Sequence, residues 1–174
     1  MYSSHIPRAM AGGFVGTLLI TLLVYAFAAA GYAQTGLTEL FGGMLFETPP
    51  ERFSGMWWIM MAWHFNFGAV IFPHIFVLFA SRELPGVPWQ KGLLLGLALW
   101  LLVEVLFKPL FGMGFFSSAL ASPIMAVLAS LLVHAVYGVT LGAVTGQVQT
   151  ARDERVDRRA SRGVQHHRPV HLGH

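Results

Sequence analysis

Four long apolar runs, separated by shorter polar segments, are the dominant pattern of the chain. Each run has the roughly 20 residues that an α-helix needs to cross a bilayer. Proline, glycine and charged residues mark the breaks, because they favour turns over continued helix. The predicted helices cover about residues 13–33, 56–80, 92–112 and 123–147. The pattern therefore predicts an all-α fold, a polytopic membrane four-helix bundle.

The chain changes character after the fourth run. Residues 149–174 are polar and rich in arginine, which is typical of a disordered basic tail. We therefore divide the chain into a transmembrane domain over 1–148 and this tail. The first run has a second interpretation, because Arg8, an apolar core and the small residues Gly31 and Ala33 also fit a cleaved signal peptide.

Composition excludes an ordinary soluble protein. The chain is 55% hydrophobic and 11% charged, with a mean hydropathy of +0.61, so the lipid bilayer is its first predicted partner. It has no cysteine, which excludes disulfides and thiolate metal ligands. Much of the positive charge lies in the tail and bears on membrane orientation rather than on nucleic-acid binding.

Along the chain, positively charged segments alternate with acidic or uncharged segments between the apolar runs. Arg8, the turn with Arg82 and Lys91, and the tail are basic, whereas the first loop is net acidic and the third is uncharged. Lysine and arginine accumulate in cytoplasmic segments. The distribution therefore predicts that both termini are cytoplasmic.

Small residues recur every fourth position on the third and fourth predicted helices. Such stripes allow membrane helices to approach each other closely. The predicted packing positions are Gly92, Gly96, Ser130, Gly138, Gly142 and Gly146. His134 lies on the stripe of the fourth helix, so we expect it to face other helices rather than lipid.

Two copies of a short pattern suggest an internal repeat. The pattern His-x-x-aromatic-Gly occurs at 64–68 and again at 134–138, and the glycine-containing segments 41–44 and 111–114 share the same offset. The simplest interpretation is a duplicated two-helix hairpin, whose pseudo-twofold axis follows the membrane normal. His64 and His134 would then be symmetry mates.

The same motifs carry a resemblance to a known family. The Trp-His-Phe-x-x-Gly centre at 63–68, the Leu-Pro-Gly-x-Pro-Trp turn at 84–89 and the Ala-Ser-Leu-Leu-x-His-x-x-Tyr-Gly segment at 129–138 resemble an uncharacterised family of small four-span bacterial membrane proteins. The resemblance covers most of residues 10–147. It implies a four-helix fold and a bacterial inner-membrane location, and it implies no activity.

Glu104 and Lys108 are the charged residues predicted to lie inside a helix of the bundle. They are four positions apart with the acid first, the favourable order for a helical ion pair. In one interpretation they neutralise each other while Lys108 extends to the membrane surface. In the other, Glu104 orients one of the histidines or exchanges a proton with it.

Two hypotheses concern the histidine pair. His64 and His134 are either buried imidazoles that link helices by hydrogen bonds, or axial ligands of a haem b held between the second and fourth helices. In the haem hypothesis Gly68 and Gly138 line a slot for the porphyrin. A divalent metal bound by the two histidines and Glu104 is a third possibility.

The predicted function follows from these alternatives. No phosphate loop, dinucleotide fingerprint, nucleophile elbow or zinc-protease motif is present in the sequence, so nothing indicates an enzyme. The leading prediction is a structural or accessory subunit of a larger, for example respiratory, membrane complex, with other membrane subunits or further copies of the chain as partners. The alternatives are a haem b electron-transfer subunit, and a metal-binding or small-solute transport protein.

Overall fold

The residues that the structure describes form a bundle of four long helices. The structure is a computed structural model that describes residues 6–31 and 50–166. We number the helices α1 (Ile6–Ala29), α2 (Gly55–Ala80), α3 (Pro88–Leu110) and α4 (Pro123–His166). Helices α1, α2, α3 and the Pro123–Gly146 part of α4 are each long and apolar enough to cross a membrane. The predicted all-α four-helix bundle is confirmed, and the described residues contain no strand.

Local sequence explains where the helices begin. Ser54 caps α2, since its hydroxyl accepts a hydrogen bond from the backbone N–H of Trp57 at 3.2 Å. Helices α3 and α4 each begin at a proline, Pro88 and Pro123, whose missing N–H costs nothing at the first helical position. Pro88 places the start of α3 before the predicted boundary at residue 92, and α1 likewise starts before residue 13.

Prolines inside α2 and α3 are accommodated by wider, π-helical turns. These turns occupy Phe67–Ile71 and Phe76–Ala80 around Pro73, and Val103–Phe107 before Pro109. In the turns before each proline, the N–H of Phe72 and that of Lys108 donate to carbonyls five residues back rather than four. A proline cannot donate a backbone hydrogen bond, and the wider turn reduces the clash of its ring with the preceding turn. Helix continuity is therefore kept across both prolines.

Helix α4 lies at the centre of the packing. It packs most extensively against α3 and then against α1, and α1 also packs against α2. Neighbouring helices are antiparallel, because Gly12 of α1 faces Leu141 of α4 while Gly16, further along α1, faces Tyr137. We call the end where α1 and α3 begin the terminal end, and the opposite end the loop end.

The apolar core lies in the terminal half of the bundle. All four helices contribute to it, and its members are Ala9, Phe76, Val77, Ala80, Leu95, Tyr137 and Leu141. In the loop half the buried side chains include polar and charged groups: Thr21, Glu104, Lys108 and Ser117. The loop half also buries Trp57, Met60 and Met61, so the buried charges there lie in a half that has apolar contacts as well.

The fourth helix extends into the segment predicted to be a basic tail. Helix α4 continues to His166, whereas we predicted disorder from residue 149. The sequence contains no proline or glycine between Gly146 and Gly163, and Glu154 precedes Arg158 at the spacing that supports a helix. His167, His171 and His174 lie outside the described residues, as does the 41–44 segment used for the repeat.

Candidate functional site

Glycines bring the backbones of α3 and α4 into direct contact. Gly92 faces the carbonyl of Gly138 and the backbone of Gly142, and Gly96 faces the carbonyl of His134. A methyl group at any of these glycines would collide with backbone atoms of the other helix, which have little room to move. Gly146 faces the ring of Pro88 at the terminal end of the same interface. This contact fixes which face of α4 is turned toward α3.

A similar contact joins α1 and α2. Gly68 of α2 lies against the side chain of Thr17, and Gly13 of α1 lies against Pro73 and the carbonyl of Gly68. The glycine of each His-x-x-aromatic-Gly motif therefore packs against the first helix of its own hairpin. Gly68 faces α1 and Gly138 faces α3.

His64 is bonded to α1. Its Nε2 lies 3.0 Å from Oγ1 of Thr21, and the Thr21 hydroxyl donates its own hydrogen to the carbonyl of Thr17 at 2.7 Å. The hydroxyl is therefore the acceptor of the first bond, so Nε2 carries the hydrogen and donates it. Thr17 continues the series by donating to the carbonyl of Gly13 at 2.7 Å. The result is a ladder of neutral hydrogen bonds along one face of α1.

His134 is held differently. Its Nδ1 lies 2.8 Å from the carbonyl of Ser130, one turn earlier in the same helix, and can only donate to that acceptor. The backbone carbonyl of His134 lies against Gly96 of α3. His74 has the corresponding bond to the carbonyl of Val70, at 2.7 Å, in α2.

A buried ion pair forms the most polar part of the bundle. The ammonium of Lys108 makes a salt bridge with Oε1 of Glu104, and it donates a hydrogen bond of 2.7 Å to Oγ of Ser117. Glu104 and Ser117 are fully buried and Lys108 is only 7% exposed. Buried charges are tolerated when they are paired and hydrogen-bonded, as these are.

The pairing limits what Ser117 can do chemically. A serine–lysine pair can act as nucleophile and base only if the lysine is neutral. Here Glu104 stabilises the charged ammonium, which donates to Ser117 and cannot remove its proton. The Ser117 hydroxyl is also within 3.4 Å of Oε2 of Glu104, and no face of it is open. The cluster is arranged as an electrostatic contact and not as a hydrolytic site.

The placement of the candidate haem ligands does not fit a bis-histidine haem. His64 lies at the α1–α2 contact and His134 at the α3–α4 contact. Gly68 and Gly138 line these separate contacts, and not one common slot. Between α2 and α4, the Tyr137 hydroxyl donates to the carbonyl of Gly68 at 2.6 Å. Haem binding therefore stays a prediction.

The divalent-metal hypothesis also lacks a converging ligand set. The described residues contain no group of three histidine or carboxylate side chains that could hold a metal ion. Of the three proposed ligands, His134 lies at the α3–α4 contact, His64 lies at the α1–α2 contact, and Glu104 is paired with Lys108. Histidines 167, 171 and 174 are outside the described part of the chain.

Sequence reasoning missed the partners of the polar residues. Thr17 and Thr21 share the face of Gly13, so their spacing could have indicated the ladder that receives His64. The bonds from Tyr137 to Gly68 and from Lys108 to Ser117 span helices or a loop, and no local pattern marks them.

The described residues form an all-α structure with four candidate membrane spans, glycine-based contacts between α1 and α2, α3 and α4, and α1 and α4, and a buried ion pair. A family model described as "Family of unknown function (DUF6789)" matches residues 3–156. The chain belongs to this family, which confirms the predicted membership in an uncharacterised family. No curated protein and no solved structure matches the chain.

Proposed function

We propose that the chain is a structural or accessory subunit of a larger membrane assembly, formed with other membrane subunits or with further copies of itself. One observation carries this proposal: the interhelical and buried polar contacts of His64, Tyr137 and Lys108 are each made within the chain, at separate places, instead of converging on one site. His64 is bonded to Thr21, Tyr137 to Gly68, and Lys108 to Glu104 and Ser117. A packing role requires this arrangement, whereas a catalytic or cofactor site requires groups aimed at a shared space.

The outward faces of the helices support the same proposal. Large apolar side chains are exposed along all four candidate spans, and among them are Phe14, Leu22, Trp63, Phe79, Leu101 and Ile124. In a bilayer such faces contact lipid or the apolar helices of other subunits. The buried polar groups Thr21, Glu104, Lys108 and Ser117 lie inside the bundle, so association with a partner would leave them in place.

We propose a bacterial inner membrane as the location, with both termini in the cytoplasm. The charge distribution supports this orientation, since Arg8 and Lys91 lie at the terminal end of the bundle and the arginine-rich segment follows the fourth candidate span in the sequence. A periplasmic reporter fused after Ser118 should be active, and reporters fused after Gly86 or Thr150 should be inactive. An active fusion at Thr150 would contradict the orientation.

The state of the protein in mild detergent tests the proposed role. We expect native mass measurement to give a particle larger than the 19.1 kDa chain, with a fixed stoichiometry that persists on dilution. We also expect the preparation to be colourless. A monomeric particle carrying a stoichiometric chromophore that is lost with His64→Ala or His134→Ala would contradict the proposal and favour the haem alternative.

A further inference from the structure

The loop between α3 and α4 has an unusual inward-facing residue. This loop, residues 111–122, contains no charged side chain. Phe116 and Ser118 are exposed, yet Ser117 between them is fully buried. Its hydroxyl reaches the ammonium of Lys108 and lies beside Glu104. The loop is therefore docked on the ion pair through one small side chain.

The backbone of the docked loop is strained. Phe116 and Ser117 have positive φ angles of 50° and 59°, a conformation that residues with a Cβ atom rarely adopt. Two glycines just before them, Gly112 and Gly114, also have positive φ. Non-glycine residues in this conformation cost free energy and persist only where surrounding contacts hold them.

The contacts that hold the loop can be identified. The charge-assisted hydrogen bond from Lys108 to Ser117 belongs to the stronger class of hydrogen bonds. The ring of Phe116 lies 6.0 Å from that of Trp100, measured between centroids, one turn before Glu104. Backbone bonds from Met113 to the Lys108 carbonyl and from Ala119 to the Met113 carbonyl complete the docked form.

We propose that residues 111–122 form a latch with two states. In the docked state Ser117 caps the Lys108–Glu104 pair and separates it from water. In the released state the strained backbone of Phe116 and Ser117 relaxes, and water reaches the pair. Lys108 lies in the last turn of α3, which ends at Leu110, so its long side chain can then extend to the surface at the loop end. The ion pair thus controls whether the loop is open.

Hydrogen–deuterium exchange of the detergent-purified full chain tests the latch. Ser117→Ala removes only the docking hydroxyl and leaves the ion pair intact. The amides of Met113 and of 118–120 should then exchange about tenfold faster or more, the effect expected from losing a hydrogen bond to a charged group. Exchange in the terminal halves of α1 and α4 should stay unchanged. Ser118→Ala, a change of the same kind at the exposed neighbour, should leave loop exchange as in the unaltered protein.

A second variant tests the role of the charges. The double variant Glu104→Gln with Lys108→Met contains no unpaired buried charge, yet it no longer offers an ammonium to Ser117. We expect the same acceleration of loop exchange as in Ser117→Ala. Unchanged loop exchange in Ser117→Ala, equal acceleration in Ser117→Ala and Ser118→Ala, or a protected loop in the double variant would each overturn the latch.

Discussion

The two histidine-bearing interfaces share a motif and differ in their chemistry. In both, the glycine one turn after the histidine packs against the first helix of the same hairpin. At the α1–α2 interface that helix presents Thr17 and Thr21, and the histidine joins a ladder of neutral hydrogen bonds. In the second hairpin, Glu104 and Lys108 of α3 pair with each other and with Ser117 of the following loop, and the histidine bonds within its own helix. The motif determines how closely the helices approach, whereas the facing helix determines which polar groups meet.

Loss of Lys108 should lower the free energy of unfolding more than the other substitutions described below. Lys108→Met leaves the Glu104 carboxylate buried without its partner, which costs about 3–5 kcal/mol of unfolding free energy. Equilibrium unfolding in mixed detergent measures this cost. The double variant with Glu104→Gln should recover much of it, because no charge then stays unpaired. An equal loss in both variants would show that Lys108 stabilises the bundle by packing and not by pairing.

Substitution of a glycine in the α3–α4 contact should lower the free energy of unfolding by an intermediate amount. In Gly92→Ala the new methyl group would meet the backbone of Gly138 and Gly142, so we expect a loss of about 1–3 kcal/mol in the same unfolding assay. Gly55→Ala is a matched control, because a methyl group at that position meets nothing within 4 Å. Comparable losses in the two variants would argue against a tight α3–α4 contact.

The hydrogen bond between Tyr137 of α4 and Gly68 of α2 should contribute less to the free energy of unfolding. Tyr137→Phe removes the hydroxyl that donates to the Gly68 carbonyl and keeps the packed ring, so we expect a loss of about 1 kcal/mol. Thr140→Val, which removes a half-buried hydroxyl bonded within α4, should cost less. The difference in unfolding free energy between the two variants gives the contribution of the interhelical hydrogen bond to stability.

The smallest effect should come from the threonine ladder. Thr21→Val keeps the shape of the side chain but removes the acceptor of His64, for an expected cost of about 0.6 kcal/mol. The visible absorption of the purified protein should be unaffected by this change and by His64→Ala. Loss of a visible absorption band in either variant would indicate that the histidines are cofactor ligands.

The sequence predicted the helices well because their signal is local. Continuous apolar runs identified all four, and Pro123 marked the start of α4, whereas Pro88 was assigned to the turn before α3 and is in fact its first residue. The partners of the polar residues could not be predicted, because Ser117 and Tyr137 bond to residues on other segments of the chain. The order of packing around α4 is equally non-local. The duplicated hairpin stays a prediction.

The position of the apolar core has a mechanical consequence. All four helices meet in the terminal half, at Ala9, Phe76, Leu95 and Leu141. Beyond Tyr137, the described side-chain hydrogen bonds between segments join α1 to α2 and α3 to its own loop. The terminal half therefore joins all four helices, whereas the loop half consists of two helix pairs, α1 with α2 and α3 with α4. We expect the lowest-energy motion of the bundle to separate these two pairs about the Tyr137–Gly68 contact. Such a motion would change the distance between His64 and His134 and leave the packing of the terminal half intact.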